Sequence, residues 1–412
     1  MSRTGRPFRL PHRRDYFDPF TLDGRKAIFF RFTGAGSRIR NDYRAAEDDK
    51  RVLWAALNLL AVEDGKISRR LRKNFKSPLD VFGLPEGEIL ARGLDVEAAR
   101  GIASPQLMKR AKREMQRTED SGFELLTIED KGYPSLLKEI YDPPFVLYCA
   151  GKVEALSEPA VAVVGSRAPS PYGKSMAEKL ASDLAGRGLV VVSGMARGID
   201  SAAHRGALEK GKTVAVMGSG LVRVYPRENR RLFENIIENG AVVSEFPLDA
   251  EPLSHHFPQR NRLISGLSLA LVVVEAAERS GSLISARMAL DQNREVMAVP
   301  GSVASELSRG THWLIKNGAK LVETWEDVAE ELPPSVRDSL IGGIEGPEAG
   351  AMDLGPEEQD VYNLLDCASS SHVDELAERT EYTISEILAI LLNLELKGLV
   401  SQSPGNYYLR RK

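Results

Sequence analysis

Val161-Ala-Val-Val-Gly165-Ser166-Arg167-Ala-Pro-Ser-Pro-Tyr-Gly173 says more about this chain than any other stretch. Its small and β-branched apolar residues read as a buried strand, and Lys174 to Arg187 reads as a helix. A strand that ends in glycine and opens onto a helix is a common anion-holding device. The helix start presents unpaired N–H groups and the positive end of its dipole. Ser166 adds a hydroxyl, and Arg167 adds a fork of donors that matches phosphate.

The rhythm of strand and helix continues through residues 158–332. Strands are expected at Val161–Val164, Val190–Ser193, Thr213–Met217, Ala241–Ser244, Leu269–Val274 and Glu295–Val299, with a short one at Lys320–Val322. Alternation of this kind argues for an α/β fold with a doubly wound, mostly parallel sheet. In such sheets ligands sit at the carboxyl ends of the strands, where the strand order reverses.

Length and composition bound the rest. A chain of 412 residues suggests two to four domains. The net charge of −3 means that any nucleic-acid binding must come from local clusters. Cys149 and Cys367, the two cysteines, lie far apart, which argues against a disulfide framework and fits a reducing cytoplasm. No apolar run approaches membrane-spanning length, and the arginine-rich start lacks the apolar core of a secretory signal.

Residues 1–46 read as an irregular basic tail, either a poorly ordered segment or an over-long start; a nucleic-acid-binding arm is the sharper alternative. Residues 47–122 read as a small helical domain of helix-hairpin-helix or SAM-like outline. Val52, Leu53, Ala56, Leu59 and Leu60 share one helical face, and Asp64-Gly65-Lys66 stands where a glycine-pair hairpin would be. Residues 123–334 form the α/β domain, entered through an expected edge strand at Phe145–Tyr148. Residues 335–355 read as a linker. Residues 356–412 show three helical segments, then Leu399–Ser401 and Tyr407–Leu409 around Pro404-Gly405, the outline of a winged helix.

The strand ends converge on one edge. Gly194 to Ser201 follow one strand, and Asp200 or Ser201 is expected to cap the next helix. Gly218, Ser219 and Gly220 follow another strand, and Glu275 to Ser282 follow a third. Arg167, Arg197, Arg223, Arg227, Arg260, Arg262 and Arg279 are all expected in loops on this edge, as a backbone-binding groove needs. Phe257 is the best placed aromatic for stacking a base, and Tyr225 the second.

Other chemistries fit less well. Gly173-Lys174-Ser175 lacks the leading glycine of a Walker loop, because Ala168 stands there. A dinucleotide fingerprint is absent after the first strand. Adjacent His255 and His256 suit one surface and one structural histidine better than a metal, so no cofactor is expected. Glu275 is the one carboxylate that could act as an acid, but a hydrogen-bond anchor is the favoured role.

Gly165-Ser166-Arg167, Ser193 to Asp200, Phe257 to Ser265, Ser280 to Leu283 and Val299-Pro300-Gly301 together resemble the DNA-processing protein A family, also called Smf. The resemblance covers residues 158–325 closely. It implies an extended Rossmann-like fold and a homodimeric, non-enzymatic protein. That protein would bind single-stranded DNA, protect incoming DNA and load the RecA recombinase during natural transformation and recombination. The implied DNA pocket takes in Gly165, Ser166 and Arg167, Arg227 after Tyr-Pro, Phe257, and Arg260, Asn261 and Arg262. The strand-end residues Arg197, Gly218, Ser219, Gly220, Ser280 and Gly281 complete the candidate set. Trp313, Leu314 and Ile315 fall where family members pair. The alternative, a nucleotide-binding phosphoribohydrolase of related fold, would use Glu275 with Ser280-Gly281-Ser282, but its glycine-rich signature does not follow Pro300-Gly301.

Overall fold

The computed structural model describes residues 47–342, 355–365, 371–380, 382–397, 399–403 and 405–410. It opens on helices α1 (Glu47–Glu63), α2 (Ile67–Asn74), α3 (Glu86–Ala91), α4 (Val96–Ala103) and α5 (Pro105–Asp120). Strand β1 (Glu124–Thr127), the short helix α6 (Ser135–Lys138) and β2 (Val146–Gly151) follow. Then come β3 (Ala160–Val164), α7 (Pro171–Ala185), β4 (Val190–Ser193), α8 (Ile199–Lys210), β5 (Thr213–Val216), α9 (Arg230–Asn239) and β6 (Ala241–Ser244). The chain continues through α10 (His256–Gly266), β7 (Ala270–Val273), α11 (Gly281–Asp291), β8 (Glu295–Ala298), α12 (Arg309–Lys316), β9 (Lys320–Leu321) and α13 (Trp325–Glu330) to α14 (Pro334–Gly342). The strands of the α/β rhythm fall within a residue of their expected ends. Helix α7 starts three residues early because Ser170 caps it and Pro171 occupies its first turn, where no N–H is needed.

The strands form one sheet in the order β1-β2-β6-β5-β4-β3-β7-β8-β9. All neighbours are parallel except β1–β2 and β2–β6. The chain leaves β3 on one side through β4, β5 and β6, and returns to β7 on the other. This reversal opens a crevice beyond the carboxyl ends of β3 and β7. Phe145–Tyr148 was expected at an edge; instead β2 lies inside the sheet, paired on both sides, and β1 is the edge.

Side chains alternate along the strands, so the sheet carries two cores. Val146, Tyr148, Ala215, Met217 and Val242 face one core, shared with α1 to α5. Leu147, Cys149, Val214, Val216 and Val243 face the other, shared with Leu263, Ile264, Ala286 and Leu314. The helical layer therefore folds onto the sheet, and the described residues up to Arg337 form one compact unit. Helix α1 is buried from Val52 to Leu60 on every side rather than along one face, because helices cover it opposite the sheet. Its Asn58 satisfies its amide by donating to the Glu245 carbonyl at 2.9 Å.

The expected linker begins as helix, since Pro334 to Gly342 form α14; residues 343–354 lie outside the described residues. The tail 1–46, Cys367 and Pro404 do so as well. The second unit, from Asp338, contains α15 (Pro356–Leu364), β10 (Ser371–His372), α16 (Val373–Glu378), α17 (Ile384–Leu396), β11 (Val400–Ser403) and β12 (Tyr407–Arg410). Its strands pair in the order β10-β12-β11, and Val361, Leu376, Ile387, Leu391 and Leu394 form its core. This is a winged helix.

One buried group links the α/β unit to pH. His204 on α8 meets the Thr213 hydroxyl through Nδ1 at 2.6 Å, and that hydroxyl donates to the Val191 carbonyl. Nδ1 must therefore carry the proton of a neutral ring. Burial pushes the His204 pKa down to about 3. Below pH ~6.5 the unfolded chain takes up a proton that the folded chain refuses. The contribution is therefore full above that pH and is lost at about 1.4 kcal/mol per pH unit on acidification. In urea titrations at pH 7 and pH 5, the wild type is expected to lose about 2 kcal/mol more stability than His204→Gln. Equal losses would mean that His204 titrates normally.

Candidate functional site

The strand β3 ends at Val164, and the chain turns at Gly165. A Cβ there would stand 2.7 Å from Ile199 Cγ1 and 2.9 Å from the Glu275 carbonyl, so glycine lets the ends of β7 and α8 close in. The turn is tied to its neighbour: the Ile199 N–H donates to the Ser166 carbonyl at 3.0 Å. Gly198, at φ +79°, caps α8 where Asp200 or Ser201 was expected. A side chain on Gly198 would reach 2.3 Å from the Ser166 carbonyl.

Helix α7 starts under a second lock. The Ser170 hydroxyl accepts from the Gly173 N–H at 3.1 Å and donates to the Glu275 carboxylate at 2.5 Å. The Ser170 N–H donates to the same carboxylate at 2.9 Å. Glu275 is buried, and Gly173 makes room for it, since a Cβ there would lie 2.3 Å away. Glu275 thus makes the hydrogen bonds of the anchor favoured from the sequence.

Beyond these locks lies a cleft of about 380 Å³, lined by Gly165, Ser166, Arg167, Asp200, Arg260, Asn261, Ser280 and Gly281. Its far wall is the start of α11. Ser280 caps that helix by accepting from the Ser282 N–H at 3.3 Å, and the space around Gly281 is open. Two chain turns and a helix N-terminus thus converge on one volume, which favours an anion or an oxygen-rich group.

The floor is Arg260. It is buried, and its guanidinium donates to the carbonyls of Gly194 and Val216, at the ends of β4 and β5. Gly194 is glycine because a Cβ would stand 2.2 Å from Arg260 Nη1. Next to it Met195 holds a left-handed backbone at φ +53°, and Asn229 donates to its carbonyl at 2.8 Å. Burial lowers the Arg260 pKa to about 10 against the attraction of Asp200, so the side chain stays charged near neutrality. Burial raises the Asp200 pKa, opposed first by Arg260.

The rim is aromatic and cationic. The Arg167 guanidinium lies 5.2 Å from the Phe257 ring centroid. Tyr225 stands 5.7 Å from Phe257 at an interplanar angle of 45° and is 42% exposed. Gly218 leaves space for this ring, since a Cβ would meet Phe257 Cδ1 at 2.9 Å. Arg167, Gly218, Tyr225, Phe257 and Arg260 enclose a small recess beside the main cleft.

Several expectations need correction. Arg260 and Arg262 lie on helix α10, not in a loop. Leu263, Ile264 and Leu267 bury at helical spacing, and Pro258 falls in the first turn, where a missing N–H costs nothing. Arg260 is internal, and Arg262 faces away from the cleft toward Glu245, its ion-pair partner. Ser219 is buried, with its hydroxyl on the Arg223 carbonyl, and Gly220 packs on the Leu248 carbonyl; both build a turn rather than the cleft. Arg197 lines the recess beside the cleft while pairing with Glu228; Arg223 pairs with Glu251, and Arg227 and Arg279 are exposed outside the cleft lining. Leu314 is buried in the core and Ile315 packs against it, so only Trp313 of that trio is exposed on α12. His256 stacks on Phe246 and His255 is exposed, as expected, and no metal-holding cluster occurs among the described residues. Asp200, expected only as a helix cap, also lines the cleft, as do Ser282, expected to act only in the phosphoribohydrolase alternative, and Ser285, which no expectation covers. The spacing of the two serines on one face of α11 was the available signal.

The family model of DNA recombination-mediator protein A matches residues 124–333, and that of the DprA winged helix domain matches residues 345–406. The chain is 42% identical to protein Smf of Escherichia coli (strain K12) over 302 residues, covering 71% of this chain and 79% of that one. It is 48% identical over 210 residues to DNA processing protein DprA of Streptococcus pneumoniae, covering 51% of this chain and 74% of that one. The X-ray structure of DNA processing protein A from Streptococcus pneumoniae superposes with a TM-score of 0.52 at 37% identity, over 69% of this chain and 95% of that chain.

The close approach at Gly194 makes a sharp prediction. Gly194→Ala is expected to displace the Arg260 guanidinium and destabilise the protein by about 1–3 kcal/mol, read as a lowered thermal midpoint. An unchanged midpoint would show that Arg260 is not held there.

Proposed function

This chain belongs to the DNA recombination-mediator protein A family, and on that premise we propose that it binds single-stranded DNA in the cleft beyond β3 and β7. In this reading it protects incoming DNA and loads the RecA recombinase onto it in natural transformation and recombination. It acts in the cytoplasm, as a homodimer and without catalysing a reaction; the exposed Trp313 is the part of the expected pairing helix open to a second copy. Among the described residues, no helix is long and apolar enough to cross a membrane.

One observation carries the reading: a cation, Arg167, rests on Phe257 beside the exposed ring of Tyr225, at the lip of an anion-favouring cleft. A soluble nucleotide needs one phosphate site and one base site. A strand needs a repeating supply of both, on a surface open at its ends. Aromatic faces tolerate any base, because every base has a π-face, and duplex bases are already stacked and unavailable. Gly165-Ser166-Arg167 and the start of α11 supply phosphate contacts, and Asn261 offers an amide to whatever lies between them. Both Glu275 carboxylate oxygens accept hydrogen bonds from Ser170, which supports an anchoring role over the acid that the phosphoribohydrolase alternative requires.

Arg167→Ala is expected to weaken binding of a labelled oligothymidylate and to flatten the plot of log K against log salt by about 0.7, the share of one single-strand phosphate. Phe257→Leu, which keeps the packing on Gly218, is expected to weaken binding about fivefold or more with little change in slope. Filter binding across a salt series reads both. An unchanged slope in Arg167→Ala would remove Arg167 from the phosphate contacts.

A further inference from the structure

Helix α10 has two working faces. Arg260, Asn261 and Ile264 line the cleft, while Pro258, Gln259 and Arg262 line a larger cavity of about 680 Å³ on the other side. Phe257, at the cleft rim, is followed directly by Pro258 and Gln259 at the cavity, so the first turn of α10 joins the two spaces. The opposite wall comes from the helical layer: the hairpin Asp64-Gly65-Lys66, then Ser68 and Arg69 of α2. A Cβ on Gly65 would lie 3.5 Å from the Gln259 amide, so the hairpin stands close over α10.

The lining separates the possible occupants. Its charges are largely used within the protein. Glu245 pairs with Arg262, Asp142 accepts from the Ser68 hydroxyl at 2.6 Å and lies 3.8 Å from Arg69, and Asp64 accepts from the Lys66 N–H at 3.0 Å. With Asp291 also in the lining, the interior offers no net attraction to a phosphate but suits a neutral, planar, hydrogen-bonding group, and the exposed cations lie at the rim. At the mouth Tyr141 is 83% exposed, and Arg69 lies 5.8 Å from its ring centroid. A large ring left in water beside a guanidinium repeats the Phe257–Arg167 pair at the cleft. Lys66 supplies a further cation at the rim.

We propose that the cavity between α10 and the α1–α2 hairpin is a second base-holding site, in which a further nucleobase of the same single strand stacks on Tyr141. The strand leaves the cleft past Phe257, crosses the first turn of α10, and places its next bases at the helical layer. Arg69 and Lys66 meet the backbone, and the Gln259 amide meets a base edge. The helical layer thereby becomes part of the DNA track and lengthens the site.

The inference rests on the single-strand reading, and oligonucleotide length separates the two. Fluorescence anisotropy of the full chain is measured with oligothymidylates of about 5 and about 20 nucleotides, the shorter within the span of one small binding fold. Tyr141→Ala is expected to weaken binding of the longer oligonucleotide about fivefold or more and to leave the shorter unchanged, while Tyr141→Phe binds both as the wild type does. The exposure of Tyr141 keeps the fold out of the comparison. No change with the longer strand, or equal weakening of both, would overturn the second site while leaving the cleft in place. Failure of the wild type to bind either length would overturn the cleft reading and the extension together.

Discussion

A guanidinium buried beneath the carboxyl ends of two parallel strands holds the architecture of the site. Arg260 reaches from α10 to the carbonyls of Gly194 and Val216, with Asp200 close enough to oppose the cost of its burial. An unpaired buried charge would cost several kcal/mol, so the arrangement stands only while both strand ends and the carboxylate are in place. Because α10 is pinned there, its first turn carries Phe257 to the cleft rim, and its two faces become walls of two spaces. Glycines at 165, 194 and 198 are the geometric counterpart, each giving up a side chain where another group must pass.

Rigidity and binding are divided between different residues. Ser170 and Glu275 lock the start of α7, and Asn229 fixes the turn after β4. None of these needs to touch a ligand. They leave Arg167, Asn261 and the open face at Gly281 to meet one on a preset frame, which limits the ordering cost of binding. The sheet and the helical layer form one compact unit with a shared core, so a strand that touched both would lie on a single body.

Much of this was legible in the sequence because it is local. Runs such as Val161 to Val164, ending in glycine and followed by a cap, declare strand, turn and helix within a few residues. The β3 to β8 pattern follows, and so does the site's position at the reversal of strand order. What was hidden depends on distant partners. Arg260 looks like a surface arginine until the carbonyls of Gly194 and Val216, 66 and 44 residues away, accept its hydrogen bonds. Pro258 and the polar residues around it masked α10 as a loop, while the buried face from Leu263 onward made it a helix. Leu314 could not be told from a surface leucine, because the sheet face that covers it is remote in sequence. Arg260 and Arg262, two residues apart, read as one basic motif, but helical geometry sends them to opposite walls.

The account claims that this frame holds a strand rather than a duplex or a free nucleotide. The most direct measurement is competition on the intact chain: a labelled single strand displaced by unlabelled single-stranded DNA, by the matching duplex, and by a mononucleotide. The account predicts displacement by the single strand at concentrations at least about tenfold below those needed of the duplex, with the mononucleotide weaker still, since each stacked base adds to affinity. Equal displacement by duplex and single strand, or strong displacement by the mononucleotide, would contradict it.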